Sequence, residues 1–163
     1  MCGRESFEEW ARARQQRLVR STYLITGDFQ RAEDLVQEAL IRAAQRWESI
    51  RDGQPDAWVR TVIFREHISW WRRVRYETVT DQPPEGLLVT PAEGPVMVQA
   101  ALALLTQKQR AVLVLRYIED FSVAQTASIL GVSDGTVKKQ ASVALARLRD
   151  IAPDLVELVE ERS

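Results

Sequence analysis

The 163-residue chain has one cysteine, Cys2, and one histidine, His67. A single cysteine excludes an internal disulfide, and one of each residue cannot form the Cys/His set of a structural zinc site. No apolar run approaches the roughly 20 residues of a membrane span, and the start, MCGRESFEEW, lacks the apolar core of a signal peptide. These absences lead to the expectation of a soluble protein in a reducing cytoplasm, with no metal, no cofactor and no membrane insertion. There is no glycine loop for phosphates, and Glu66 beside His67 lacks the partner one helical turn away that a metal site needs. No convergent catalytic set is visible, so the chain does not read as an enzyme, and His67 is expected as a packed or partly exposed helix residue. Strand patterns are almost absent, repeats are not visible, and helical periodicity runs nearly throughout. The expected fold class is all-α.

The hydrophobic share of 45% suffices for one ordinary domain or two small ones. A net charge of −1 argues against a nucleic-acid partner until it is divided along the chain. Residues 1–76 hold 14 basic and 11 acidic side chains, and residues 98–150 hold 7 and 4. Acidic stretches separate and follow them: 77–97 holds no basic and 4 acidic residues, and 151–163 holds 1 and 4. Two modestly basic blocks remain, as a nucleic-acid binder requires.

From Glu5 to about Thr26, Phe7, Ala11, Leu18 and Ile25 repeat at near-helical spacing, and Gly27 stops the helix. Asp28 is placed to start the next, where Ala32, Leu35, Val36, Ala39, Leu40, Ala43 and Trp47 form one apolar stripe. Its polar side carries Asp34, Gln37, Glu38 and Arg42, which by periodicity alone is a solvated face. After a Gly/Pro-punctuated loop at Glu48 to Pro55, the segment Asp56 to about Arg75 is apolar on two stripes. Val59, Val62, Ile63 and Trp70 form one, and Ala57, Phe64, Ile68 and Trp71 the other. Arg60, Arg65, Arg72, Arg73 and Arg75 lie between them. Arginines track a phosphate backbone and aromatic rings stack on unpaired bases, so the mixture suits a single strand. Core tryptophans with solvated arginines explain the pattern equally well.

Residues 77–97 hold Pro83, Pro84, Pro91 and Pro95 with acidic residues and read as a linker, although Leu87, Leu88 and Val89 are apolar enough to dock. Helical periodicity resumes with Val98, Ala101, Leu102 and Leu105, and Thr106 with Gln109 forms a capping box for a helix burying Ala111, Val112, Leu115 and Ile118. The acidic tail from Pro153 is expected as a final helical turn or a frayed end.

Between these lies Phe121 to Arg149. Ser122 with Gln125 reads as a capping box, Val123, Ala127 and Leu130 mark one face, and Gly131 suits a left-handed helix end. Ser133 then caps a second helix with Val137, Ala141, Ala144, Leu145 and Leu148 inward. This is a helix-turn-helix, whose second helix usually enters the major groove. Thr136, Lys138, Lys139, Gln140 and Ser142 lie outward, able to donate to phosphates or base edges. Two small packed helices with a solvated lysine pair are the plainer alternative.

Separated segments here resemble one family, the RNA polymerase sigma factors of the extracytoplasmic-function (ECF) group within the sigma-70 family. AEDLVQEALIRAAQRW (Ala32 to Trp47) resembles the helix with which those proteins grip core polymerase, and WVRTVIFREHISWWRR (Trp58 to Arg73) resembles the promoter-melting and minus-ten helix. LTQKQRAVLVLRYIEDFSVAQTASILGVSDGTVKKQ (Leu105 to Gln140) resembles the fourth region. The resemblance spans residues 7–149. It implies a region 2-like domain over 1–76, a linker over 77–97, a region 4-like helix-turn-helix domain over 98–150 and an acidic tail over 151–163. The implied function is to bind core RNA polymerase, recognise minus-35 and minus-10 promoter DNA and help open the duplex.

Carried over by position, the resemblance assigns Asp34, Gln37 and Glu38, with Arg42 on the same surface, to the coiled coil of the largest polymerase subunit. Ile50, Arg51 and Asp52 fall in the loop that receives a flipped minus-ten base, which Arg60, Thr61 and Arg65 face. Trp70, Arg72 and Arg73 hold the separating strand or adjacent duplex, and Thr136, Lys138, Lys139, Gln140 and Ser142 read the minus-35 element. Relatives often have Asn where Arg65 stands and Arg at Gln140 and Val143, so base preferences are not carried over at those positions. An anti-sigma partner is left open. The alternative is a freestanding helix-turn-helix regulator, against which the aromatic and arginine mixture of Arg60 to Arg75 speaks, because a duplex reader has no need of it.

Overall fold

The computed structural model describes residues 5–77 and 95–162, and the chain divides into two compact units after Trp71. In the first unit α1 spans Phe7–Thr26. Its start is fixed by a capping box that apolar periodicity does not reveal: Ser6 Oγ accepts from the Glu9 N–H at 3.2 Å, and the Glu9 carboxylate accepts from the Ser6 N–H at 3.3 Å. Two donors that the first turn leaves without helical partners are thereby satisfied. Gly27 ends α1 at φ 70°, and Asp28 opens α2 (Phe29–Gln45) by accepting from the Arg31 N–H. A two-residue connection between two caps makes an α-hairpin, and α1 and α2 pack against each other.

The apolar stripe of α2 is the inner side of this hairpin. Ala32, Leu35, Val36, Ala39, Leu40 and Ala43 are all buried, as their spacing predicts. Trp47, expected at the end of the same helix, is buried too, but α2 stops at Gln45 and Trp47 opens the short α3 (Trp47–Ile50), a helical turn that runs into the segment expected as loop. What stabilises it is aromatic: Trp47 lies 5.3 Å from Trp10 and 5.6 Å from Phe7 between ring centroids.

Helix α4 runs Pro55–Glu77. Its two apolar stripes prove to be edges of one broad buried face made by Val59, Ile63, Phe64, His67 and Ile68. Val62, Trp70 and Trp71 are half-buried at the margins. An ion pair of 2.6 Å between Arg14 and Asp56 joins α1 to the first turn of α4.

In the second unit, α5 (Pro95–Ala103) and α6 (Gln107–Leu113) are followed by a π-helical turn, Val114–Ile118. The Thr106 and Gln109 capping box is present. The simple amphipathic helix expected here is not: six consecutive residues, Arg110 to Leu115, are buried, which marks a helix enclosed on all sides. Arg110 is accommodated by donating from Nε to the Leu102 carbonyl at 2.9 Å, next to the C-terminal end of α5, where a cation is favoured. Burial lowers its pKa from the usual arginine value.

Helices α7 (Val123–Leu130) and α8 (Asp134–Ile151) form the expected helix-turn-helix. Ser122 and Gln125 make their reciprocal bonds, Gly131 sits at φ 67°, and Ser133 Oγ accepts from the Thr136 N–H. The tail is more ordered than expected. Residues Pro153–Arg162 form α9, which packs on α8 and buries Leu155 and Val156. Of the linker expected over 77–97, residues 78–94 with Leu87, Leu88 and Val89 lie outside the described residues, while both ends are helical: Glu77 closes α4 and Pro95 to Met97 open α5.

Candidate functional site

The outer face of α2 follows from its inner one. With the stripe from Ala32 to Ala43 buried, helical geometry turns Asp34, Gln37 and Glu38 outward, and all three are exposed. Gln30 donates to Asp34 at 3.1 Å. Arg42 is bracketed by two carboxylates, Glu38 at 2.6 Å and Glu66 of α4 at 3.0 Å. The hydrogen bond to Glu66, outweighing a small cost of burial, raises the Arg42 pKa above its ordinary value, and Glu38 adds in the same sense. The bracket fixes Glu38 one turn from Asp34, on a surface that offers acid and amide groups to a basic partner.

One residue on this surface escapes notice in the sequence. Ile41 is 58% exposed and stands three residues from Glu38, four from Gln37 and seven from Asp34, so it projects from the middle of the polar face. Its signal was positional: an apolar residue lying off the stripe.

The second set is brought together only in part. Ile50 and Arg51 are half-buried where α3 ends, and Asp52 is exposed. Arg51 pairs with Glu48 at 3.1 Å. On α4, Thr61 and Arg65 are one turn apart on one line, whereas Arg60, next in sequence to Thr61, projects from a different side. The Thr61 hydroxyl donates to the Ala57 carbonyl at 2.8 Å. Trp70 is engaged within its own unit: the Arg31 guanidinium carbon lies 3.5 Å from its ring centroid, and His67 stacks at 6.1 Å. The arginine on this tryptophan therefore comes from α2, not from the series interleaved along α4. Arg72 and Arg73 are exposed on the later turns.

The third set lies on α8. Lys138, Lys139 and Ser142 are exposed, and Thr136 and Gln140 are half-buried. Thr136 Oγ1 is 2.9 Å from Ser133 Oγ, so its hydroxyl is already part of the cap. Opposite the buried Val137, Ala141, Ala144 and Leu148, the outermost line passes through Lys139, Ser142, Val143 and Ala146. Among the described residues, no group of three or more His, Cys, Asp and Glu side chains is gathered as a metal site, and no helix is long and apolar enough to cross a membrane.

Comparison with known proteins covers most of the chain. Residues 10–76 match the family described as Sigma-70 region 2, and residues 96–148 match Sigma-70, region 4. The chain is 41% identical to the RNA polymerase sigma-E factor of Streptomyces coelicolor over 163 residues, covering 96% of this chain and 92% of that one. The chain belongs to the sigma-70 family of RNA polymerase sigma factors.

Within that family its likeness is to ECF sigma factors. The ECF RNA polymerase sigma factor SigL of Mycobacterium tuberculosis is 38% identical over 81% of this chain and 80% of its own. A solved structure, the sigma factor RpoE in complex with the anti-sigma factor NepR from Bartonella quintana, superposes with a TM-score of 0.66 at 26% identity, covering 91% of this chain and 97% of that one. The chain is thus an ECF sigma factor, a promoter-recognising initiation factor. Because the matches include region 2 as well as region 4, a freestanding helix-turn-helix regulator finds no support in them.

Proposed function

We propose that the three faces divide the work of this sigma factor. The outer face of α2, Asp34, Gln37 and Glu38 with Arg42 as their bracket, holds core RNA polymerase. Ile50, Arg51 and Asp52, with Arg60, Thr61 and Arg65, receive and read the minus-ten element. Trp70, Arg72 and Arg73 support the separating strand, and Thr136, Lys138, Lys139, Gln140 and Ser142 read the minus-35 element. On this division residues 1–76 act as the core-binding and melting domain and 98–150 as the upstream reader, joined through 77–97.

The observation that carries the proposal is the exposed acid and amide face of α2, fixed by a wholly buried inner stripe. Opening DNA unstacks bases at a few kcal/mol per step, which a pocket and stacking for the extruded base offset. No chemistry on a substrate is required of the chain, and we assign it no enzymatic activity. It acts in the cytoplasm, where its polymerase and template are.

The test is a pulldown with core polymerase followed by mapping of transcription start sites. Replacing Asp34 and Glu38 together by Ala is expected to abolish polymerase binding and leave helical content unchanged, because both side chains are exposed. Unchanged binding would remove α2 from the polymerase interface. The likeness to a sigma factor solved with an anti-sigma factor supports co-purification from the native cell as the search for a partner of that kind.

A further inference from the structure

We propose that Val143 is a specificity-determining residue of α8, whose exposed methyl groups contact the C5-methyl of a thymine in the upstream promoter element. This rests on the assignment of α8 to that element. Val143 is 43% exposed and belongs to the outermost line of the helix, away from the buried Val137, Ala141, Ala144 and Leu148. A single exposed valine is ordinary on a protein surface, but its setting here is not. Lys139 stands one turn before it and Arg147 one turn after it, both exposed. Two cations on one line bring a phosphate chain to the flanks of an apolar spot.

A base edge in the major groove offers donors, acceptors and one apolar group, the thymine methyl. Val143 can match only the last. As a β-branched residue it holds one strongly preferred rotamer in a helix, so its methyls are presented at a fixed place with little side-chain ordering on binding. Arginine at this position would instead favour guanine. The element read by α8 is therefore expected to carry a thymine where Val143 falls.

The experiment uses holoenzyme formed from the full chain and core polymerase. The probe is a promoter fragment recovered by start-site mapping, in which each upstream-element thymine is replaced in turn by deoxyuridine, which lacks only the methyl. One position is expected to lose affinity by about fourfold, the equivalent of unburying one methyl group, and the loss is expected to disappear with Val143→Ala. That substitution leaves the buried face of α8 intact and suits a helix. Methyl dependence that persists in Val143→Ala overturns the proposal. So does the absence of any methyl-sensitive thymine in an element whose scrambling still abolishes binding, which leaves the assignment of α8 standing. Scrambling without effect overturns both.

Discussion

Ile41 shows how much a single side chain can alter an interface otherwise read as polar. Fully burying an isoleucine is worth about 1.5–3 kcal/mol, and this one leaves more than half of its surface for a partner to cover. Ile41→Ala is expected to weaken polymerase binding about fivefold to tenfold with no loss of helicity, measured by titration against core polymerase. The neighbouring bracket is steady by comparison. The raised Arg42 pKa means that its ion pairs are in force below the ordinary arginine range and are lost only as pH rises through the raised value. Polymerase binding should not vary through Arg42 near neutrality. Elsewhere, Asp120 is held at φ 57°, the one positive-φ residue other than glycine among those described. Asp120→Gly is expected to stabilise the second unit by about 0.5–1 kcal/mol by relieving a left-handed backbone, seen as a higher midpoint in thermal unfolding. Caps at Asp28, Ser122, Ser133, Gly27 and Gly131 were legible in the sequence, because each is a local demand met by one residue type. Glu66 as the partner of Arg42, and Arg31 on Trp70, were not, since both join residues more than 20 positions apart.

The elements divide along the same line. The buried stripe of α2 was legible in full because one face of a helix lies against one neighbour and leaves a clean 3.6-residue signal. On α4 the same signal was blurred, because a buried face nearly half the helix wide registers as two stripes. Around Arg110 to Leu115 the spacing of Ala111, Val112, Leu115 and Ile118 reads as one face, and the period alone does not tell that the whole segment is enclosed or that it continues as a π-helical turn in which Ile118 is only half-buried. Helix α9 was underestimated for a different reason: a short acidic segment is a weak helix alone and takes its order from packing. Leu155 and Val156 are 6% and 3% exposed against the second unit, and Arg149 pairs with Glu160. Leu155→Ala is expected to cost about 2 kcal/mol, at the low end for a buried leucine, measured by urea unfolding followed through helical circular dichroism. A stability change within a few tenths of a kcal/mol would make the tail dispensable.

For the whole molecule, a net charge of −1 hides two basic blocks set apart by acidic stretches. Promoter affinity from such a chain is electrostatic in part and falls with salt. Replacing Lys138 and Lys139 by Ala should lower the log-log salt dependence of holoenzyme binding by up to about one unit for each phosphate left without its lysine; an unchanged slope would mean that the pair faces away from DNA. With Gln140 and Val143 uncharged, α8 offers Lys138 and Lys139 but no further cation before Arg147. On the proposed division of faces, attachment to polymerase through α2 would add to this hold, because a linked second attachment raises the effective concentration of the first.

The aromatic cluster that stabilises α3 has an optical consequence. All five tryptophans, Trp10, Trp47, Trp58, Trp70 and Trp71, precede the division after Trp71, and the second unit has none. Indole emission from the intact chain therefore reports the first unit alone, with Trp10 and Trp47 close enough to couple in the near-ultraviolet, while backbone dichroism reports both. Recorded side by side during denaturation, the two signals tell whether the halves of this sigma factor melt together or one at a time, with no label and no dissection of the chain.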